Sequence, residues 1–282
     1  MQVIDPHIHM ISRTTDDYLA LAYGGVHTVA EPAFWPGFDR SAVASFHDYF
    51  QQLTVTEPAR AARFKISHYC WIGMNAKEAE QLELAREVLA IIPQYLDRPT
   101  ALGIGEVGLN KNSRNEITVF EEQAELAAKR NELLLIHTPH LEDKLKGTRI
   151  IIDILKNEPR IAPERVLIDH AEEHTIGEIK DNGFWYGLTL YPDSKGSPAR
   201  AIDAVEIFGP ERICINSSAD WSVSDPIATL KCANEMRRRG HPEALIARIF
   251  QENPAQFMGQ SPKFGVAWQR SNSNAVTKPA LG

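Results

Sequence analysis

The sequence predicts an α/β fold, a (β/α)₈ TIM-type barrel of parallel strands, from three observations. Short β-rich runs alternate with longer helix-like stretches along most of the chain. Most of the short runs are continuously apolar, LLLIH and RVLID among them. Strands buried on both faces read that way, and parallel sheets bury both faces. The alternation also repeats often enough to close a barrel, where an open doubly wound sheet needs fewer strands or a visible reversal point. No GxxxxGK[ST] phosphate loop occurs.

The strands are expected at Val3–Met10, Val26–Pro32, Lys65–Met74, Ala101–Leu109, Leu133–His137, Arg165–His170, Trp185–Leu190 and Arg212–Ser217. Between them, Asn75–Leu96 carries Leu and Ala at helical spacing with charges on the other face, and Glu116–Asn131 does the same. Lys146–Asn157, Thr175–Asn182, Pro198–Phe208 and Asp225–Arg239 continue the helical series. Gly183 stops one helix before strand seven, and Gly209-Pro210 stops another before strand eight. Glu31–Gln52 is long for a βα loop and rich in aromatics (Phe34, Trp35, Phe46), so it reads either as a cover for the site or as a packed structural loop. Residues 1–260 form one barrel domain in this reading. Residues 261–282 are polar and weakly periodic, a draped or mobile tail.

With 282 residues, 43% hydrophobic and 24% charged, the chain has material for an ordinary soluble core. Its formal charge of −7 gives phosphate-backbone binding no general support, although a local basic patch could oppose it. Cys70, Cys214 and Cys232 are widely spaced and odd in number, which reads as buried thiols rather than a disulfide framework. The start MQVIDPHIHM has no basic stretch followed by an apolar one, and no apolar run reaches membrane-spanning length. A cytoplasmic protein without membrane insertion is the expectation, and the sequence allows a homo-oligomer without requiring one.

The chemistry concentrates at strand ends. His7 and His9 are two apart on a strand, so both imidazoles project from one face and can hold one metal ion. Glu106 lies within the apolar, glycine-flanked GIGEVGLN, where a carboxylate is costly unless paired or metal-bound. His137 ends strand five, His170 ends strand six, and Asp220 follows strand eight. In a barrel these ends converge on the C-terminal face, where active sites sit. His140, Tyr191, Lys195 and Arg114 fall on loops of the same face and are candidate substrate-binding residues. His68 reads either as inward-facing or as a satisfied core histidine, and His174 as a cap or surface residue.

The DPHIH start, GEVGL in strand four, the histidines of strands five and six, DHAEEHT and the late aspartate resemble the TatD-type metal-dependent hydrolases of the amidohydrolase superfamily. The resemblance runs over roughly residues 1–260. It implies that His7 and His9 hold one metal, Glu106 bridges two, and His137 and His170 hold the second. Asp220 then binds a metal or accepts a proton from water. The chain departs from the family's pattern at Asn110, where Asp is usual, and at Ser218-Ala219-Asp220, where Glu-Thr-Asp is usual.

One or two divalent ions are therefore expected, Zn first, with Mn, Fe or Ni suited to the same mixed shell. Such ions lower the pKa of water from about 16 to about 7 and polarise the scissile group. The expected function is hydrolysis of an ester, amide, lactone or phosphoester bond in a small-molecule substrate, with Asp220 and Glu106 as the catalytic carboxylates. The alternatives are a metal-dependent deoxyribonuclease, whose nearby basic residues are Arg114, Lys144, Lys146 and Lys195, and a noncatalytic metal-binding scaffold. A metal-dependent isomerase or lyase on a similar barrel also fits the ligand set.

Overall fold

The structure is a computed structural model, and it describes residues 2–139, 143–192 and 194–265. Eight parallel strands follow one another in sequence order around a nearly closed (β/α)₈ barrel. They are β1 (Val3–Asp5), β2 (Val26–Pro32), β3 (Ser67–Ile72), β4 (Ala101–Gly108), β5 (Leu133–His137), β6 (Val166–Asp169), β7 (Trp185–Thr189) and β8 (Ile213–Asn216). The outer helices are α1 (Thr15–Gly24), α2 (Val43–Gln51), α3 (Glu57–Ala62), α4 (Leu82–Leu96), α5 (Arg114–Arg130) and α6 (Lys144–Asn157). They continue with α7 (Glu173–Asp181), α8 (Pro198–Phe208), α9 (Ala228–Arg238), α10 (Glu243–Ala247) and α11 (Asn253–Met258).

The strands β2 and β5 have the boundaries expected from sequence, and the others are shorter. The largest difference is at β1, which ends at Asp5, so His7 and His9 lie beyond the ladder rather than on it. That segment still closes the barrel. Ser218 N donates to His7 O at 2.7 Å and His9 N donates to Ala219 O at 2.9 Å, joining the loop after β8 to the loop after β1. Gly103, Gly105 and Gly108 have GxGxxG spacing, but they lie inside β4 and not at a strand-to-helix turn, so they form no dinucleotide loop.

Alternation along each strand decides what faces the barrel axis. On β5, Leu133 and Leu135 share a face with His137. On β6, Leu167 shares one with Asp169, and on β8, Cys214 with Asn216. The apolar members of these sets pack in one interior cluster with Trp71 and Trp185, and α11 plugs it from below. The Phe257 ring stacks on Trp71 at 5.9 Å and meets Trp185 at 5.6 Å. The polar members lie one step further along, at the opposite, C-terminal mouth.

The stretch after β2 is partly helical. Residues 33–42 form a loop, after which α2, a π-helical turn (Gln52–Thr56) and α3 run on without a break. Phe46, Tyr49, Phe50 and Leu53 are buried in the core between strands and helices, at spacings that put them on one helical face. The loop itself is pinned. The buried Arg40 guanidinium donates to Glu78 Oε2 at 2.6 Å and lies 4.1 Å from the centre of the Tyr49 ring, while Phe34 N donates to Tyr49 OH at 3.0 Å.

At the chain's far end, Phe264 packs 5.1 Å from the Tyr69 ring and Gly265 N donates to Tyr69 OH at 2.8 Å. The first residues of the expected tail therefore lie against the barrel, and the rest of it is outside the described residues. Among the described residues no helix is long and apolar enough to cross a membrane.

Replacing Phe257 with Ala removes the ring that joins the two tryptophans of the plug. The expected cost is about 3–5 kcal/mol in urea-induced unfolding, and a loss below about 1 kcal/mol would contradict the plug's role.

Candidate metal centre

Four imidazoles surround one carboxylate at the mouth of the barrel. Glu106 is buried, and its Oε1 lies 2.7 Å from His137 Nδ1 and 2.7 Å from His170 Nε2. Asn75 Nδ2 donates to Glu106 Oε2 at 3.1 Å. The Glu106 main chain is tied to the segment just after β2, its N–H donating to Ala33 O at 3.3 Å. His7 Nε2 and His9 Nε2 face each other at 3.0 Å. His7, His9 and Glu106 place ligand atoms within 4.8 Å of one another, and so do Glu106, His137 and His170.

Tight positioning accompanies this convergence. Asp169 Oδ2 lies 2.5 Å from His7 Nδ1, which keeps the His7 proton on Nδ1 and leaves the Nε2 lone pair toward the centre. Both Asp169 oxygens also accept from Asn216 Nδ2, at 2.9 and 3.1 Å. Gly187 on β7 makes room for this carboxylate, since a Cβ there would stand 1.9 Å from Asp169 Oδ1. His170 adopts a left-handed backbone (φ 57), a conformation that costs a non-glycine residue about 1–2 kcal/mol. Lys144 Nζ holds that turn by donating to His170 O at 2.8 Å, and Thr138 Oγ1 donates to Asp169 O at 2.9 Å.

The electrostatics suit a cation. Burial disfavours ionised Glu106, but His137 and His7 and the hydrogen bonds from His137 and His170 outweigh it, so the carboxyl is held well below its ordinary range. Burial pushes His9, His137 and His170 down, toward the neutral, metal-binding form. Burial also opposes protonation of His7, and there the Glu106 and Asp169 carboxylates prevail and raise it. His137 Nε2 is buried without a hydrogen-bond partner among the described residues. Two ring nitrogens 3.0 Å apart, as in His7 and His9, need a proton or a cation between them. Buried imidazole nitrogens gathered round an ionised carboxylate fit a divalent transition metal.

Of the six residues expected to bind metal, the structure gathers His7, His9, Glu106, His137 and His170. Asp220 stands apart from these groups. Its Oδ1 accepts from Tyr191 OH and from Ser222 N, both at 2.8 Å, at the cavity rim. The chain turns at Ser218 (φ 44), so that Ser218 Oγ, 3.4 Å from His7 Nε2, takes the inner position. Tyr191 and Lys195 line the cavity, with Lys195 Nζ 3.3 Å from His170 Nε2. Arg114 begins α5 as an exposed residue away from the cavity lining. His140 lies outside the described residues. His68 is a buried core histidine whose Nε2 lies 2.8 Å from Glu31 Oε2 and whose Nδ1 has no hydrogen-bond partner among the described residues, and His174 is a half-exposed side chain early in α7.

Sequence reasoning missed Asp169, Asn216, Thr189 and Asn75. The available signal was strand alternation, which places Asp169 on the inward face of RVLID. The cavity above the cluster measures about 380 Å³ and is walled by Phe34, Trp35, Trp221 and Tyr191.

Comparison with known proteins agrees with this picture. A family model described as TatD related DNase matches residues 4–217. An uncharacterised metal-dependent hydrolase of Methanocaldococcus jannaschii is 25% identical over 256 residues, covering 88% of this chain and 97% of the relative. A crystal structure of a TatD-like protein from Archaeoglobus fulgidus superposes with a TM-score of 0.73 at 24% identity, covering 91% of this chain and 99% of that one. The phosphotriesterase homology protein of Escherichia coli, crystallised with phosphate in its active site, gives a TM-score of 0.64 at 16% identity, with 91% and 98% coverage.

Elemental analysis of purified protein should find transition metal in the wild type and little in Glu106→Ala or His7→Ala/His9→Ala. Asp169→Asn should weaken metal affinity about 10- to 100-fold, whereas Asp220→Asn should leave metal content unchanged. Metal loss in Asp220→Asn would return that residue to the ligand shell.

Proposed function

Because this chain belongs to the TatD-related DNase family and is a metal-dependent hydrolase, we propose that it cleaves an ester, amide, lactone or phosphoester bond of a small-molecule substrate. The observation that carries this reading is the cavity of about 380 Å³ directly above the histidine–carboxylate cluster. That volume suits a small ligand. The pinned loop bearing Phe34 and Trp35 narrows the approach on one side, and Trp221 narrows it on another.

In this reading His7, His9, Glu106, His137 and His170 hold one or two divalent ions, with zinc the first candidate by donor chemistry. The metal supplies Lewis acidity and lowers the pKa of water. The remaining work falls to the chain's own residues. Asp169 and Thr189 fix the His7 and His170 rings through hydrogen bonds of 2.5 and 2.7 Å. Asp220 has one oxygen occupied by Tyr191 and Ser222, while its Oδ2 has no partner among the described residues. We assign Oδ2 the proton acceptor's role, with delivery of that proton to the leaving group. Tyr191 orients the carboxylate.

A deoxyribonuclease is the second reading, and the description of the matched family favours it. Of the basic residues expected to serve it, Lys195 lines the cavity and Arg114, Lys144 and Lys146 do not. Lys144 is committed to the His170 carbonyl, the Thr138 hydroxyl and Glu172, and Arg114 is away from the cavity lining.

Metal-loaded protein should hydrolyse at least one member of a panel of small aryl esters, lactones, amides and phosphodiesters. Asp220→Asn should lower kcat/KM by about 10²- to 10⁴-fold at unchanged metal content. Cleavage of single-stranded DNA that collapses steeply with added salt, with no turnover of the panel, would establish the nuclease reading instead.

A further inference from the structure

The cavity's charge runs against that of the chain. The whole protein carries a formal −7, yet two ammonium groups, Lys77 and Lys195, line this one cavity. Neither forms an ion pair with a carboxylate among the described residues. Lys77 Nζ lies 5.1 Å from the centre of the Trp35 ring. Lys195 Nζ lies 5.1 Å from the Tyr191 ring centre, and its polar contact is His170 Nε2 at 3.3 Å. A half-buried ammonium without a counter-ion is costly. Glu106 and then Asp169 favour the charged form of Lys195 from a distance, but no carboxylate forms a salt bridge with either ammonium among the described residues. Glu106 is engaged by His137, His170 and Asn75, and Asp220 by Tyr191 and Ser222. With even one divalent ion bound, Lys77, Lys195 and the ion exceed Glu106 and Asp220, leaving the cavity positive.

Its walls are aromatic. The Trp35 and Trp221 rings stand 6.4 Å apart at 57°, and Trp35 Nε1 is fixed by Asp39 Oδ1 at 2.9 Å. Trp221 is 52% exposed and Val223 76% exposed, although both line the cavity. Apolar side chains left open at the mouth of a positive cavity complete a two-part recognition surface.

We infer that the substrate is a small organic anion, with a carboxylate or phosphoryl group held by Lys195 and Lys77 beside the metal ligands and a flat apolar body lying against Trp35 and Trp221. This inference rests on the small-molecule hydrolase reading and names the substrate class of that same site. The negative surface of the chain as a whole repels anions generally, so the local field at the cavity acts as a selector.

Calorimetric titration of metal-loaded protein with benzoate, phenylphosphonate and neutral benzamide tests it. At least one anion should bind ten-fold or more tightly than benzamide, and the stronger of the two identifies a carboxylate or a phosphoryl source. Lys195→Met should weaken anion binding at least ten-fold and leave benzamide unchanged, with Lys195→Arg restoring part of the affinity. Metal content is measured on each variant. If Lys195→Met loses metal, Lys77→Met carries the same comparison, because Lys77 makes no hydrogen bond to a histidine among the described residues. Trp221→Ala should weaken benzoate more than acetate. Benzamide binding as tightly as the anions, no anion binding at millimolar concentration, or unchanged anion affinity in metal-loaded lysine variants would overturn the inference. Anion binding without turnover of any panel substrate would instead overturn the reaction class and leave the recognition intact.

Discussion

A carboxylate buried among imidazoles at the mouth of the barrel is the constraint on which the rest depends. An ionised Glu106 in this position is tolerable only because its oxygens have partners, His137 and His170 on one and Asn75 on the other. The partners must in turn be held. Asp169 fixes His7, Asn216 satisfies Asp169, and Gly187 leaves the space that Asp169 occupies. The left-handed turn at His170 is the conformational cost of aiming that ring inward, and Lys144 and Thr138 hold the carbonyls beside it. Such mutual support gives a preorganised set of donor atoms rather than a flexible cluster.

The barrel separates stability from chemistry along its axis. One interior end is apolar and closed by Phe257 between Trp71 and Trp185. The other carries polar residues from the same inward-facing rows. A single alternation of side chains therefore builds both the plug and the site. Closure depends on the site segment itself, since the loops after β1 and β8 are joined by main-chain hydrogen bonds at His7 and His9. The residues that present ligands also complete the barrel's seam.

Specificity is built on a third layer, the loops. The Arg40–Glu78 pair and the Tyr49 hydroxyl hold the Phe34–Trp35 segment in place as a wall of the cavity. Across from it, the chain after β8 brings in Ser218, Asp220, Trp221 and Val223. Loops carried on such a scaffold can change without disturbing the strands that hold the histidines. On a metal-dependent hydrolase scaffold they set the cavity's lining, which here includes two lysine and two indole side chains.

The eightfold alternation of apolar runs and amphipathic stretches determined the barrel, because short, continuously apolar runs recurring between longer amphipathic segments are what strands buried on both faces require. The convergence of His7, His9, Glu106, His137 and His170 was legible for a related reason, the histidines standing at or just past the ends of apolar runs and Glu106 within one. Helix α2 was less legible, since its aromatic positions resembled those of a packed loop. Asp169 was hidden within RVLID, where alternation alone hints at its inward direction. The position of Asp220 belonged to tertiary structure. Its spacing from β8 is compatible with a ligand, but the turn at Ser218 sends its carboxylate to Tyr191 at the rim. The meeting of Lys77, Lys195, Trp35 and Trp221 around one cavity was likewise decided in three dimensions. They come from loops after three different strands and the insertion after β2, and no local pattern records which loops a closed barrel brings together.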